Sequence, residues 1–292
     1  KEAAEKAGEA EKAKLETEPT ATALSKVKAV RLDFPESVAA ALLRERGALG
    51  ARRFAAGQSL SVRHGGAWRD AEVLDIVASE HSVRLEGGEG GEGGEASLAL
   101  HPWNHAPREL PSPAFDTLVG WWEDVLRLRH SHIVDALTGR RLDVLQQCVA
   151  IGMEGGGEAS VRDARSLSAW LCKQHAERCE GGAAARPAAV LLTGPPAAGK
   201  TSLLSQVIVH SLGAELVPIL IKLQRLQSLL LASPDAFASA WNWIDAFLRL
   251  EHEANPSLHR MLRQALAARR ALLLLDGLDE GGAARERIER HV

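Results

Sequence analysis

The chain has no tyrosine, few cysteines and no long apolar segment, and each shortage excludes a class of protein. Three cysteines, Cys148, Cys172 and Cys179, are too few for a disulfide scaffold, so a reducing, cytoplasmic location is expected. No apolar run approaches the roughly 18 residues that a membrane-spanning helix needs, which argues against a membrane partner. The 35 Lys and Arg residues against 38 Asp and Glu give a formal net charge of −3, which argues against nucleic-acid binding through a broad basic surface.

The chain is long enough for more than one folded unit. Its 292 residues suggest roughly two domains, and the 46% of hydrophobic residues is ordinary for a globular core. The sequence begins with Lys1 and has neither an initiator Met nor the apolar core of a signal peptide. We therefore expect it to be a fragment of a longer protein.

We divide the chain into four segments. Residues 1–37 are predicted to be charged and disordered, because the first 18 are mostly Ala, Glu and Lys without an apolar stripe. Residues 38–110 are predicted to form a helix over 38–49 followed by a small β-barrel. Residues 111–187 are expected to be a helical linker region, and residues 188–292 an incomplete nucleotide-binding domain of mixed α/β class.

Residues 57–100 alternate between apolar and polar positions, interrupted by turns and by the Gly/Glu-rich insert over 86–95. Short alternating runs of this kind predict a small antiparallel sheet or barrel, with the insert as a loop between two strands. The pattern around Trp68 resembles the SH3-like barrels of the Tudor and Agenet type, which hold methylated Lys or Arg in a cage of several aromatic rings. Because one aromatic residue cannot surround a cation, Trp68 is predicted to belong to the barrel core.

Residues 111–187 repeat apolar side chains at helical spacing. One helix is predicted from Phe115 through Ile133, Val134 and Leu137, a second over 142–151 and a third over 166–179. Trp121 and Trp122 are expected in the core of the first helix. Cys172, His175 and Cys179 share a face of the third helix. Buried thiols are the prediction there rather than zinc, because the paired close spacing of a structural zinc site is absent.

Residues 188–193 form a strand-sized apolar run that leads into GPPAAGKT, residues 194–201, and then into a helical pattern. This is the Walker A pattern in its strand–loop–helix setting. The glycines allow the backbone to turn successive N–H groups toward a phosphate, and the following helix start adds further donors. Lys200 can neutralise the last two phosphates, and the Thr201 hydroxyl is a suitable Mg²⁺ ligand. The candidate nucleotide-binding residues are Gly194, Pro195, Pro196, Ala197, Ala198, Gly199, Lys200, Thr201 and Ser202.

A second apolar run, residues 271–275, ends in DGLDE, residues 276–280. A buried strand that carries an Asp at its carboxyl end is the Walker B arrangement, which places a carboxylate near Mg²⁺ opposite the phosphate loop. Asp276 is thus the second candidate Mg²⁺ ligand, beside Thr201.

The LLLLDGLDE segment resembles the Walker B signature of NACHT-type NTPases of the STAND class, and the strand over 216–223 with its internal proline resembles their second strand. The resemblance covers residues 188–292 and implies ATP and Mg²⁺ as ligands. It also implies a P-loop NTPase fold with a partial parallel sheet, in a protein that uses nucleotide as a conformational switch and engages protein partners or itself. In such a protein Asp276 organises Mg²⁺, and Asp279 or Glu280 acts on the attacking water.

In this family a further strand lies between the Walker A and Walker B strands. The chain stops 12 residues after Glu280, so we expect that middle strand to be missing and the other two to lie roughly 10 Å apart. Two other functions stay open. One is a P-loop kinase or another metabolic ATPase, and the other is a nucleotide-binding interaction module without turnover.

Overall fold

A computed structural model describes residues 27–33, 54–77, 80–86, 93–100, 104–135, 138–147, 151–154, 161–181, 188–240, 242–278, 286 and 288. The predicted helix over 38–49 lies outside these residues. The described strands are β1 (Val27–Asp33), β2 (Ser59–His64), β3 (Ala67–Val77), β4 (Glu80–Leu85), β5 (Glu95–Ala99), β6 (His105–Pro107), β7 (His132–Val134), β8 (Arg141–Asp143), β9 (Met153–Glu154), β10 (Ala188–Thr193), β11 (Val217–Lys222) and β12 (Ala271–Asp276). The helices are α1 (Ser112–His130), α2 (Ala164–Gly181), α3 (Lys200–Ser211), α4 (Leu223–Ala232), α5 (Pro234–Ala238), α6 (Trp243–Glu251) and α7 (Pro256–Ala267).

Strands β2 to β6 form an antiparallel sheet in the order β5-β4-β3-β2-β6. The predicted antiparallel sheet is therefore confirmed, and the insert over 86–95 does connect two strands, although residues 87–92 lie outside the described ranges. Along the strands of this sheet, inward-facing side chains alternate with outward-facing ones, as the sequence pattern predicts. The inward-facing side chains form a small core of their own: Phe54, Leu60, Val62, Ala71, Val73, Val83 and Leu85. The likeness to Tudor and Agenet barrels stays a prediction.

Trp68 does not belong to that core, so its predicted position is wrong. Its ring is half-buried, its indole Nε1 donates to Glu215 Oε1 at 3.1 Å, and the Arg270 guanidinium lies 5.6 Å from the ring centroid. The ring therefore faces the second half of the chain. A strand has two faces, and alternation alone does not say which face a neighbouring element will cover.

Strand β1 corrects the expectation of disorder for part of residues 1–37. It pairs antiparallel with β10, with Val30 opposite Leu191, and parallel with β9. Val27 and Ala29 are fully or almost fully buried. The charged composition that suggests disorder ends well before Val27, and the apolar residues Val27 and Ala29 on either side of Lys28 fit a strand.

The region after α1 also differs from the prediction. Helix α1 ends at His130, and the chain turns into a β-hairpin of β7 and β8 in which Ile133 pairs with Leu142. The predicted continuation of the first helix is therefore wrong, and so is a second helix that starts at Leu142. The β-branched pair Ile133 and Val134, followed by a turn with Gly139 at a φ of +67°, favours a hairpin over a helix. The third predicted helix is confirmed by α2.

Strands β11 and β12 form a parallel pair, with Pro218 opposite Leu272 and Lys222 opposite Asp276. Pro218 has no N–H, and its carbonyl accepts from Trp122 Nε1 at 3.0 Å. Within the described residues β11 is an edge strand, which is where a strand accommodates proline. Trp122 is buried, as predicted, whereas Trp121 is 47% exposed, so its prediction as a core residue is wrong.

Helix α3 packs against β11, β12, α1 and α2, and α7 packs against the same two strands and β6. In the part of the chain that the structure describes, β10 pairs with β1 and β12 pairs with β11, and no hydrogen-bond ladder joins β10 to β12. The expected spacing of roughly 10 Å between β10 and β12 stays a prediction. The P-loop NTPase fold class itself stays a prediction.

Candidate functional site

The loop between β10 and α3 has the backbone shape that an anion needs. Ala197 has a φ of +61° and Gly199 a φ of +85°, so residues of left-handed conformation alternate with others and turn N–H groups to one side. The first N–H groups of a helix have no intrahelical partner, and Gly199, just before α3, has no side chain to cap them. The loop and the helix start therefore offer several N–H donors to one ligand.

The structure accounts for glycine at position 199 by a close approach as well as by its φ. A Cβ atom built there would lie 2.7 Å from Ile151 Cδ1, a distance that real Cβ contacts do not show. Ile151 precedes β9, so this part of the chain lies against the loop. Any side chain at position 199 would be strained by its φ and would push Ile151 away.

Lys200 turns back over the loop that precedes it. Its ammonium Nζ donates to the carbonyl of Gly194 at 2.8 Å and to that of Pro195 at 3.1 Å. The positive charge is thus held beside the loop backbone, where it can meet an anion bound by the N–H groups. Pro195, Pro196 and Ala197 are exposed at the tip of the loop. Ala198 is buried and Ser202 is half-buried on the first turn of α3.

Two residues that the sequence separates widely meet beside Lys200. Thr201 Oγ1 donates to Asp276 Oδ1 at 3.2 Å. Thr201 lies at the start of α3 and Asp276 at the carboxyl end of β12. The predicted approach of Asp276 to Thr201 is therefore confirmed. This contact depends on α3 packing against β12, which brings the helix start to the end of the strand.

The same two oxygens fit magnesium. Mg²⁺ binds hard oxygen ligands at 2.0–2.1 Å in an octahedron, so ligands on adjacent corners are about 3 Å apart. The separation of 3.2 Å between Thr201 and Asp276 matches that spacing. The described residues hold no cluster of three or more His, Cys, Asp or Glu side chains that could bind a metal alone.

Two candidates from the sequence cannot be placed. Asp279 and Glu280 lie outside the described residues, which resume only at positions 286 and 288. The structure therefore brings together the loop, Lys200, Thr201 and Asp276, and it leaves the two acids that follow untested.

Lys222 and His130 lie near this group and were missed as candidates. Lys222 ends β11 directly opposite Asp276, and His130 Nδ1 is hydrogen-bonded to Ser205 Oγ at 3.1 Å, one helical turn after Thr201. Burial lowers the pKa of His130, and the nearby charge of Lys222 lowers it further. The sequence signal that could have found Lys222 is its place at the end of a strand parallel to the Walker B strand.

Among the described residues Cys172, His175 and Cys179 form no cluster that could hold a metal ion. Cys179 is buried, as predicted, whereas Cys172 is half-buried, and Cys179 and His175 join a polar junction. Cys179 Sγ lies 3.6 Å from His175 Nε2, which lies 3.9 Å from Glu215 Oε1. Glu215 also accepts from Arg63 Nε of β2 at 3.0 Å. Burial raises the pKa of both thiols and lowers the pKa of His175, so these groups favour their neutral forms.

Comparison of the chain with protein-family models, with curated proteins and with solved structures finds no match. The site has therefore to be judged from its own geometry. None of the helices that the structure describes is long and apolar enough to span a membrane.

Proposed function

We propose that this chain binds ATP with Mg²⁺ and belongs to a NACHT-like, STAND-type signalling NTPase that uses the nucleotide as a conformational switch. The observation that carries the proposal is the contact of 3.2 Å between Thr201 and Asp276, the two residues that the Walker motifs assign to Mg²⁺. An accidental glycine-rich loop gives no reason for its threonine to meet a carboxylate at the end of a separate buried strand.

Each described group has a defined task in this proposal. The N–H groups of Gly199, Lys200, Thr201 and Ser202 bind the phosphates, because Pro195 and Pro196 have no N–H and that of Ala198 donates to the carbonyl of Pro195. Lys200 supplies a point charge beside them. Thr201 and Asp276 hold the metal ion, which would offset the charge of the last two phosphates. The resemblance in the sequence, rather than any described contact, assigns the attacking water to Asp279 or Glu280.

The switch needs surfaces that respond to the bound nucleotide. We propose protein partners or self-association for that role, in the cytoplasm, where the three cysteines would stay reduced. The sheet of β2–β6 is the candidate adaptor, because Arg63 and Trp68 join it to Glu215 just before β11.

The test is nucleotide binding by the whole chain, measured by calorimetry with and without Mg²⁺. Lys200→Ala removes the charge beside the loop, and we expect ATP affinity to fall at least tenfold, about 1.4 kcal/mol. Lys173→Ala is the matched control, because Lys173 is an exposed lysine on α2 whose only described ion pair, with Glu177, spans 3.7 Å. Asp276→Asn should remove the gain in affinity that Mg²⁺ provides.

ATP binding that Lys200→Ala leaves unchanged would refute the assignment of the loop. Phosphate release assays on the same proteins separate the alternatives. Turnover that needs an added acceptor other than water would indicate a kinase, and tight binding without turnover would indicate an interaction module.

A further inference from the structure

The carboxyl end of β11 carries a lysine on the same face of the sheet as Asp276. Lys222 is paired in register with Asp276, and paired residues of neighbouring strands point to the same face. Neighbouring strands are about 4.8 Å apart, so the two side chains start from adjacent positions. Lys222 is exposed, and its ammonium has no carboxylate partner within the described residues.

A second group near Lys222, besides Asp276, is His130. His130, from the end of α1, is held against Ser205 of α3 and feels the charge of Lys222. Burial and that charge lower the pKa of His130, so the imidazole stays neutral. A neutral imidazole adds no second positive charge beside Lys222.

Helix stability does not explain a lysine at this position. Lys222 is the residue immediately before α4, and the first turn of α4 contains no acidic side chain. The start of a helix carries a partial positive charge, so a cation there is unfavourable for the helix. Arg225, one turn further on, has Glu251 as a partner at 2.8 Å. A lysine beside a helix start is suited to bind an anionic ligand from the solvent.

The proposed function supplies such an anion. In that function Lys200 and the loop would hold the phosphates, and Thr201 and Asp276 would hold the Mg²⁺ that offsets the charge of the last two phosphates. With the metal held by Asp276, the terminal phosphate would lie toward the end of β12. Lys222 lies on the next strand beyond it.

We propose that Lys222 binds the terminal phosphate of the nucleotide and thereby distinguishes a nucleoside triphosphate from a diphosphate. The inference rests on the proposed function and adds to it the residue by which the site responds to the third phosphate. A flexible lysine suits this role, because its ammonium group is a compact charge that needs no fixed bidentate geometry.

The experiment compares two nucleotides on the whole chain in the presence of Mg²⁺. Calorimetry measures the affinity for ADP and for a non-hydrolysable ATP analogue with Lys222→Ala, Lys222→Arg and the control Arg225→Ala. We expect Lys222→Ala to weaken analogue binding about tenfold and to leave ADP binding within about twofold, since ADP lacks the phosphate concerned. Lys222→Arg should restore much of the affinity, and Arg225→Ala should leave both nucleotides unaffected.

The results separate this inference from the proposed function. A wild-type chain that binds neither nucleotide overturns the proposed function and the inference together. A wild-type chain that binds both, with Lys222→Ala weakening ADP and the analogue equally or neither, overturns the inference alone. Thermal melting confirms that each variant is folded, which is expected because Lys222 is exposed.

Discussion

In the sheet of β2–β6, strands β2 to β5 follow one another along the chain and each pairs with the next. The candidate site is assembled differently. Strand β10 pairs with β1 from near the other end of the chain, and Thr201 meets an aspartate 75 residues further on. The small sheet has its own core around Leu60, whereas the core beneath the site gathers side chains from Val27 to Ile288.

The difference separates a region of local contacts from a region of distant ones. Local pairing forms without closing long loops, whereas distant pairing must first overcome the entropy of loop closure. The two regions meet at several places, and at one of them, a polar junction, Arg63 and Trp68 from the sheet contact Glu215. Substitutions on either side of that junction should reveal how far the regions depend on each other.

The largest effect is expected from equal truncations in the two cores. Leu203 in α3 and Leu60 in β2 are both fully buried, so Leu203→Ala and Leu60→Ala should each lower the free energy of unfolding by about 2–5 kcal/mol. Only Leu203→Ala should also weaken ATP binding under conditions where both variants are folded, because α3 carries Lys200 and Thr201. Chemical denaturation and calorimetry measure the two effects. Equal loss of ATP affinity in both variants would contradict the separation of the regions.

The same division explains what the sequence could predict. The strands of the small sheet were predictable because their signals are local: alternating residues and a Gly65–Gly66 turn. The strands and helix around the phosphate loop were predictable because a dense motif fixes glycine, lysine and threonine at set spacing. The approach of Thr201 and Asp276 followed from two such motifs and the resemblance they carry.

What the sequence did not predict depends on partners far along the chain. The sequence of β10 does not indicate that β1 will pair with it. The sequence around Trp68 does not indicate that its ring will face Arg270 rather than the core of the sheet. The apolar residues around Ile133 cover too short a length to distinguish a helix from a strand. The hairpin forms because β7 and β8 pair across a turn. Periodicity identifies apolar positions, whereas tertiary contacts decide which of them pack together.

A smaller effect is expected at the junction. Glu215→Gln should lower the free energy of unfolding by about 1–3 kcal/mol at neutral pH, because the charged partner of Arg63 is lost at a contact of 3.0 Å. Glu95→Gln is the control, since the Glu95–Arg84 contact is 3.8 Å and exposed, and a change within about 0.5 kcal/mol is expected. Urea denaturation measures both. Equal effects would show that Glu215 does not join the regions.

The pH dependence of Glu215→Gln follows from the charge of the carboxylate. Burial alone would raise the pKa of Glu215, but the hydrogen bond and charge of Arg63, with His175 and Trp68, lower it overall. A carboxyl whose pKa is lower in the folded state stabilises the fold above its ordinary pKa, and this stabilisation is lost as the pH falls through the folded value. The difference between the wild type and Glu215→Gln should therefore shrink below the ordinary value of 4.5.

The smallest effect concerns a single hydrogen bond at the same junction. Trp68→Phe keeps an aromatic ring near Arg270 but removes the indole Nε1 that donates to Glu215 at 3.1 Å, so a loss of about 0.5–1.5 kcal/mol is expected. A double-mutant cycle with Glu215→Ala isolates this contact, because Trp68→Phe removes the donor and Glu215→Ala the acceptor of the same bond, and the sum of the two single effects should exceed the effect of the double variant. If Trp68 acted only through packing inside the sheet of β2–β6, the two effects would add within about 0.3 kcal/mol. An additive result would mean that the Trp68 hydrogen bond contributes nothing to the junction. Of the two residues of β2 and β3 that contact Glu215, Arg63 alone would then join the sheet to the nucleotide-binding strands.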